Sequence, residues 1–166
     1  TMRVMDGKPV TFRLMDPPLH EFVPQTEEKQ REVAKERGMQ YEDLHERVEA
    51  LHEVNPMMGT RGVRLGILFP EISICQFRAL YAATAELMLE GLHPDLEIMV
   101  PLVVNLHELE HQKVLATKAK AEVEAKYGVE IKYMFGTMIE TPRAALMADR
   151  IAELAEFFSF GTNDLT

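Results

Sequence analysis

Four apolar runs of strand length, PVTFRL, DLEIMVPLVV, VEIKYMFG and EFFSFG, are separated by segments that carry helix caps and helical periodicity. This alternation constrains the fold more than any other feature. A parallel neighbour is reached only through a crossover, so strands that alternate with helices pair in parallel. Val10, Phe12 and Leu14 alternate with Thr11, Arg13 and Met15, which predicts a half-buried strand ending before Pro17 and Pro18. DLEIMVPLVV is almost continuously apolar, the pattern of a strand buried on both faces. A further short strand is expected near Val63 to Leu65.

The helices announce themselves by their ends. One is expected from about Glu71 to Glu90, stopping at Gly91. Asn105 with Glu108 three residues on has capping-box spacing and predicts a helix to Gly128. Thr141 and Pro142 suit the N-cap and first position of a helix through Leu154. From Thr26 to Glu53 the chain carries nine acidic and five basic residues, divided by Gly38 into two helical patterns, the second with Tyr41, Leu44, Val48 and Leu51 on one face. This predicts a solvated helical hairpin inserted at about 26–54. A closed eight-fold barrel needs about 250 residues. The 166 residues here therefore predict an α/β fold that is a partial (β/α)8 barrel of the TIM type, with parallel strands and the inserted hairpin. A doubly wound sheet is the structural alternative, but no Gly-x-Gly-x-x-Gly follows a strand. The chain stops at Thr166, a few residues after the apolar run EFFSFG, as expected of a fragment.

Composition narrows the function. Eighteen Lys and Arg against 27 Asp and Glu give a net charge of −9, which argues against a phosphate-neutralising surface for nucleic acid or anionic membranes and leaves room for a small anionic substrate held by a few Arg. No run approaches the roughly 20 apolar residues of a membrane span. Cys75 is the only cysteine, so no internal disulfide forms. A reducing compartment is expected, the cytoplasm or, for a plant source, the plastid stroma. Cys75 lies inside the ISICQFRAL helix pattern and reads as a small core residue.

In parallel folds ligands collect at the C-terminal strand ends. The polar residues expected there are Arg13, Arg61 in the glycine-rich NPMMGTRGVRLG stretch, Glu140, and Asn163 with Asp164. Taken singly, each also has an ordinary structural explanation, whether solvation, a carboxylate at a helix start, or an Asn-Asp turn. His107, Glu108 and His111 spell the H-E-x-x-H pattern of zinc hydrolases, but Glu108 already has a capping role with Asn105. The other His residues, among them His20, His45, His52 and His93, and the Met57–Met58 pair read as structural.

The strings LMDPPLHEFVP, NPMMGTRGVRL, GTMIETPRAALMAD and FFSFGTNDLT, in this order and spacing, closely resemble the phosphoenolpyruvate/pyruvate-binding barrel of the pyruvate, phosphate dikinases, within the PEP-utilising enzyme family. The resemblance runs from about Gly7 to Thr166, so residues 1–166 are expected to form an incomplete barrel domain of that kind. It implies Arg13 and Arg61 as catalytic, substrate-binding residues and Glu140 and Asp164 as ligands of Mg²⁺ that also meet the substrate. Gly161, Thr162 and Asn163 would line the substrate. It also implies pyruvate and phosphoenolpyruvate as ligands and a phosphohistidine domain as partner. In that mechanism the enolate of pyruvate takes a phosphoryl group from phosphohistidine. Phosphoenolpyruvate synthases share the Glu140 and Asn163–Asp164 motifs, and a non-catalytic folding or interaction module is the alternative from another class. The nucleotide-binding domain, an upstream substrate Arg and a downstream acid/base Cys of the family have no match in this chain. An open parallel edge further predicts a homo-oligomer.

Overall fold

The computed structural model describes residues 1–18, 23–50 and 59–165, with Asp164 described through its backbone alone. His20, Leu51, His52 and the Met57–Met58 pair lie outside the described residues. The chain divides into two units, one of Thr1–Asp16 with Gly62–Thr166 and one of Pro17–Arg61.

In the first unit, strands β1 (Pro9–Arg13), β2 (Asp95–Val100), β3 (Tyr133–Ile139) and β4 (Phe158–Phe160) form one sheet in the order β1-β2-β3-β4, every pair parallel. A doubly wound sheet reverses its strand order at a switch point. This sheet keeps sequence order and curls as half of a (β/α)8 barrel. Helices α3 (Gly62–Leu68) and α4 (Pro70–Leu89) connect β1 to β2, α5 (Leu106–Tyr127) connects β2 to β3, and α6 (Pro142–Leu146) with α7 (Ala148–Ile151) connects β3 to β4. The second unit holds α1 (Glu27–Arg37) and α2 (Tyr41–Ala50). Thr26 accepts from Lys29 N at the start of α1, and Gly38, at φ 65°, ends it. Gln30 meets His45 at 2.9 Å, and the Arg31 guanidinium lies 4.1 Å from the Tyr41 ring centre. No helix of the described residues is long and apolar enough to cross a membrane.

Side chains alternate across a strand, so register decides which face each residue serves. Leu96, Ile98 and Val100 of β2 and Phe135 and Ile139 of β3 face the helices and pack with Phe77, Tyr81, Leu109 and Ala116. The opposite parity, matched across the ladder, carries Thr11 and Arg13, Glu97 and Met99, Gly136 and Met138, and Ser159. Across that second face Ser159 Oγ donates to Met99 Sδ at 2.8 Å. Gly136 is required there by contact: a Cβ would stand 2.4 Å from Phe157 O and 2.6 Å from its ring.

The structure corrects three expectations. Val63 to Leu65 belongs to α3 and not to a strand. Gly62, Val63, Leu65 and Gly66 are buried at helical spacing, and the alternation of Val63, Leu65 and Ile67 only imitates a strand. The helix begun by Thr141 does not run to Leu154; it breaks at Met147 (φ −111°) and resumes as α7, with Ala144 and Ile151 both still buried. No Pro or Gly stands at that break. Cys75 is exposed, because Ser73, Phe77, Tyr81 and Thr84 form the buried face of α4 and residue 75 falls on the opposite side.

Two outcomes follow from this packing. Gly136→Ala is expected to lower stability by about 1–3 kcal/mol in urea denaturation, since the obstructing atom is a backbone oxygen that has no rotamer to change. Tyr81 is fully buried with its ring 5.2 Å from and edge-on to Tyr133, and burial pushes its phenol well above the ordinary value. The native state therefore holds this proton more tightly than the unfolded chain, and stability falls as pH rises past the free phenol's value of about 10. Denaturant midpoints measured up to about pH 11 should show that fall, and Tyr81→Phe should reduce its slope.

Candidate functional site

The C-terminal ends of the four parallel strands lie along one rim, and the predicted polar residues of the first unit are found there. Arg13 is the last residue of β1 and stands opposite Met99 of β2. Glu140 directly follows β3, on the parity of Gly136 and Met138. Gly161 N donates to Ile139 O at 3.0 Å, which carries the β3–β4 ladder one step past the last strand residue. The chain then turns into α8 (Thr162–Leu165), closed by Leu165 N on Gly161 O at 3.2 Å. Thr162 and Asn163 are exposed, and the backbone of Asp164 lies in this same turn beside the end of β3. β1 is separated from β3 by β2, so about 10 Å lies between the Arg13 and Glu140 strand ends.

Glu140 is the most constrained of these residues. Its carboxylate is buried, 6% exposed, and Oε1 accepts the N–H of Leu102 at 2.6 Å. Leu102 is itself buried and is held at φ 59°, a conformation that costs a branched residue about 1–3 kcal/mol. A short, charge-assisted bond offsets part of that cost. Thr141 adds a bond from Oγ1 to Val103 O at 3.3 Å and caps α6 through Ala144 N at 3.2 Å. The loops after β2 and β3 are thus tied together at the rim. A carboxylate has about four lone-pair directions, so one N–H bond does not by itself exhaust its capacity for a cation.

At the β1 end, Arg13 Nη1 lies 3.5 Å from Asp16 Oδ2; the Arg side chain is 46% exposed and that of Asp16 only 2%. Gly62 stands at φ 55°, where a Cβ would meet Leu102 Cβ at 3.0 Å, Pro101 O at 3.1 Å and Asp16 Oδ1 at 3.2 Å. Asp16 and Gly62 were not singled out by sequence reasoning. Asp before Pro-Pro reads as an ordinary turn former, and its burial has no sequence signature. Arg61 closes the second unit and is described with it.

The zinc pattern does not assemble. Glu108 Oε2 accepts Val104 N at 2.7 Å and Asn105 N at 3.2 Å, completing the capping box, while the exposed His107 meets Glu110 at 2.8 Å. Among the described residues no group of three His, Cys, Asp or Glu could hold a metal ion. Mg²⁺ is commonly held by only one or two carboxylates. Glu140 and the Asp164 position fit that smaller donor set by their chemistry and by their neighbouring strand ends.

Comparison with known proteins identifies the family to which the whole chain belongs. Residues 1–166 match the family model described as PEP-utilising enzyme, PEP-binding domain. The chain is 54% identical over 166 residues to pyruvate, phosphate dikinase 2 of Zea mays. It is 50% identical over 164 residues to pyruvate, phosphate dikinase of Giardia intestinalis and 50% over 165 residues to that of Clostridium symbiosum. Each match covers 99% of this chain and 19% of the relative, so the chain spans about a fifth of the length of these curated relatives.

The Glu140 bond can be tested apart from any chemistry. Glu140→Leu strands the buried Leu102 N–H and is expected to cost about 1–3 kcal/mol in thermal unfolding. Glu140→Gln keeps an oxygen acceptor and should stay within about 1 kcal/mol of the parent.

Proposed function

We propose, for a chain that belongs to the PEP-utilising enzymes through their PEP-binding domain, that its strand-end rim is the pyruvate side of a pyruvate, phosphate dikinase. The full-length protein would interconvert ATP, pyruvate and phosphate with AMP, phosphoenolpyruvate and diphosphate. The observation that carries this reading is the convergence of Arg13, the buried Glu140 carboxylate and the Gly161–Asp164 turn on one end of one parallel sheet.

Glu140 and Asp164 would hold Mg²⁺, which when bound supplies Lewis-acid stabilisation of the negative charge that develops on the pyruvate carbonyl oxygen. Glu140 enters that role already oriented, because Leu102 N–H fixes one of its oxygens. The backbone and side chains of Gly161, Thr162 and Asn163 would orient pyruvate, with the exposed Asn163 amide offering both donor and acceptor. Arg13 is half exposed at the rim, where it can meet a phosphoryl group carried in on the phosphohistidine of another domain. Its guanidinium would bind phosphoryl oxygens as a fork, which Lys cannot reproduce. Arg61, joined directly to Gly62, would supply the second such fork. The proton leaving the pyruvate methyl carbon needs an acceptor, and the family resemblance puts that Cys outside this chain. Cys75 is exposed on α4 and does not serve.

Turnover is assigned to the full-length protein, since this chain spans about a fifth of its relatives' length. For this chain on its own, β1 and β4 each pair on one side only among the described residues, which supports self-association of its copies through these edges as a homo-oligomer. A single cysteine fits a reducing compartment, the cytoplasm or a plastid stroma.

Calorimetry on the full-length protein tests the metal pair. Glu140→Gln and Asp164→Asn are each expected to weaken pyruvate-dependent Mg²⁺ binding by about tenfold or more, while Glu108→Gln and Glu122→Gln on helix α5 leave it unchanged. Equal affinity in all four variants would remove both carboxylates from the site.

A further inference from the structure

Asp16 is a buried carboxylate at the rim to which the mechanism above gives no role. We propose that Asp16 is a positioning residue that aims the Arg13 guanidinium at the incoming phosphoryl group, and that Gln76 on α4 holds Asp16 in place through the backbone of Met15. The inference rests on the reading of Arg13 as a phosphoryl-binding residue.

The two partners of the ion pair are unequally fixed. Arg13 is 46% exposed on a long, rotamer-rich stem, and ordering such a side chain at the moment of binding reduces affinity. The Asp16 side chain is 2% exposed, with Oδ1 packed toward Gly62 at the point where a Cβ would approach to 3.2 Å. The fixed member of a pair sets the position of the free one.

Asp16 is fixed because the two residues before it are pinned. Leu14 is buried and its N–H donates to Met99 O at 2.9 Å, beyond the last paired residue of β1. The next N–H, of Met15, would end the ladder unpaired; instead it donates to Gln76 Oε1 at 2.7 Å. Gln76 is held at its other end, since its Nε2 donates to Ile72 O at 3.2 Å one turn back on α4. A helix of the outer layer thereby sets the height at which Asp16 leaves the strand.

Charge decides whether Asp16 helps or competes. At 3.5 Å to a half-exposed guanidinium, the Asp16 contact is a weak ion pair. A phosphoryl group offers more charge and three oxygens, so it outcompetes such a contact for the remaining N–H edges. Arg carries five N–H donors, and engagement of one Nη1 hydrogen leaves a fork for the phosphoryl oxygens. Asp16 therefore orients Arg13 without occupying it. The effect should be confined to ligands that carry a phosphoryl group.

The test compares phosphoenolpyruvate with pyruvate binding, both with Mg²⁺, in the full-length protein. Asp16→Asn is expected to weaken phosphoenolpyruvate binding about tenfold and pyruvate binding less than about twofold. In an Arg13→Lys background, Asp16→Asn should add almost nothing, because the fork it aims is gone. A similar loss for both ligands, or full additivity with Arg13→Lys, would overturn the inference and leave Asp16 a packing residue. If Asp16→Asn does not fold, Gln76→Leu decides by the same two criteria, since Gln76 holds the Met15 backbone and is not itself among the residues proposed to meet ligand. Should Arg13→Lys alone leave phosphoenolpyruvate binding intact, the reading of Arg13 fails first, which distinguishes the two failures.

Discussion

Parallel pairing in sequence order is the constraint on which the rest depends. Each strand of the β1-β2-β3-β4 ladder points the same way, so each C-terminal end reaches the same rim and each connection must return along the helical layer. One consequence is local and electrostatic. The residues that follow strands lie outside the ladder, where backbone N–H groups need new acceptors, and polar side chains supply them: Glu140 for Leu102, Gln76 for Met15, Thr141 and Glu108 for the helix starts. The rim is polar because the ladder ends there, before any ligand is considered.

Glu140 shows why a structural and a chemical role in one residue are hard to separate from sequence. Its carboxylate is buried, it stabilises a left-handed leucine, and it is the carboxylate expected to meet a cation. A carboxylate with one oxygen fixed by an N–H partner keeps further lone pairs for a hard cation, so the two roles reinforce each other.

Local chemistry made most elements legible. The capping box at Asn105 and Glu108, Gly128 at φ 69°, Thr141 before Pro142 and Gly38 at φ 65° each act through neighbours a few residues away, and each marked its helix end. What was not legible depends on distant partners. The α3 segment takes helical form because Gly66 fits against Ser73 and Gln112, contacts that no window around residue 66 contains. Cys75 is apolar enough for a core, yet its phase on α4 is fixed by Phe77 and Tyr81. The rim residues Arg13, Glu140, Asn163 and Asp164 were found by their positions after strands, whereas Asp16 was missed because its burial is a tertiary fact.

The contact between Asp16 and Gly62 has a topological meaning. The chain leaves the barrel unit at Asp16 and re-enters it at Gly62, and these two residues lie side by side within that unit, a Cβ at Gly62 falling 3.2 Å from Asp16 Oδ1. The two points of the barrel unit between which residues 17–61 run are therefore neighbours. Closing a longer or shorter connection across such a preformed gap changes the entropy only logarithmically with length, about 0.6 kcal/mol per doubling. A gate of this kind lets the segment between its posts lengthen, shrink or be replaced through evolution while the strands on either side keep their register.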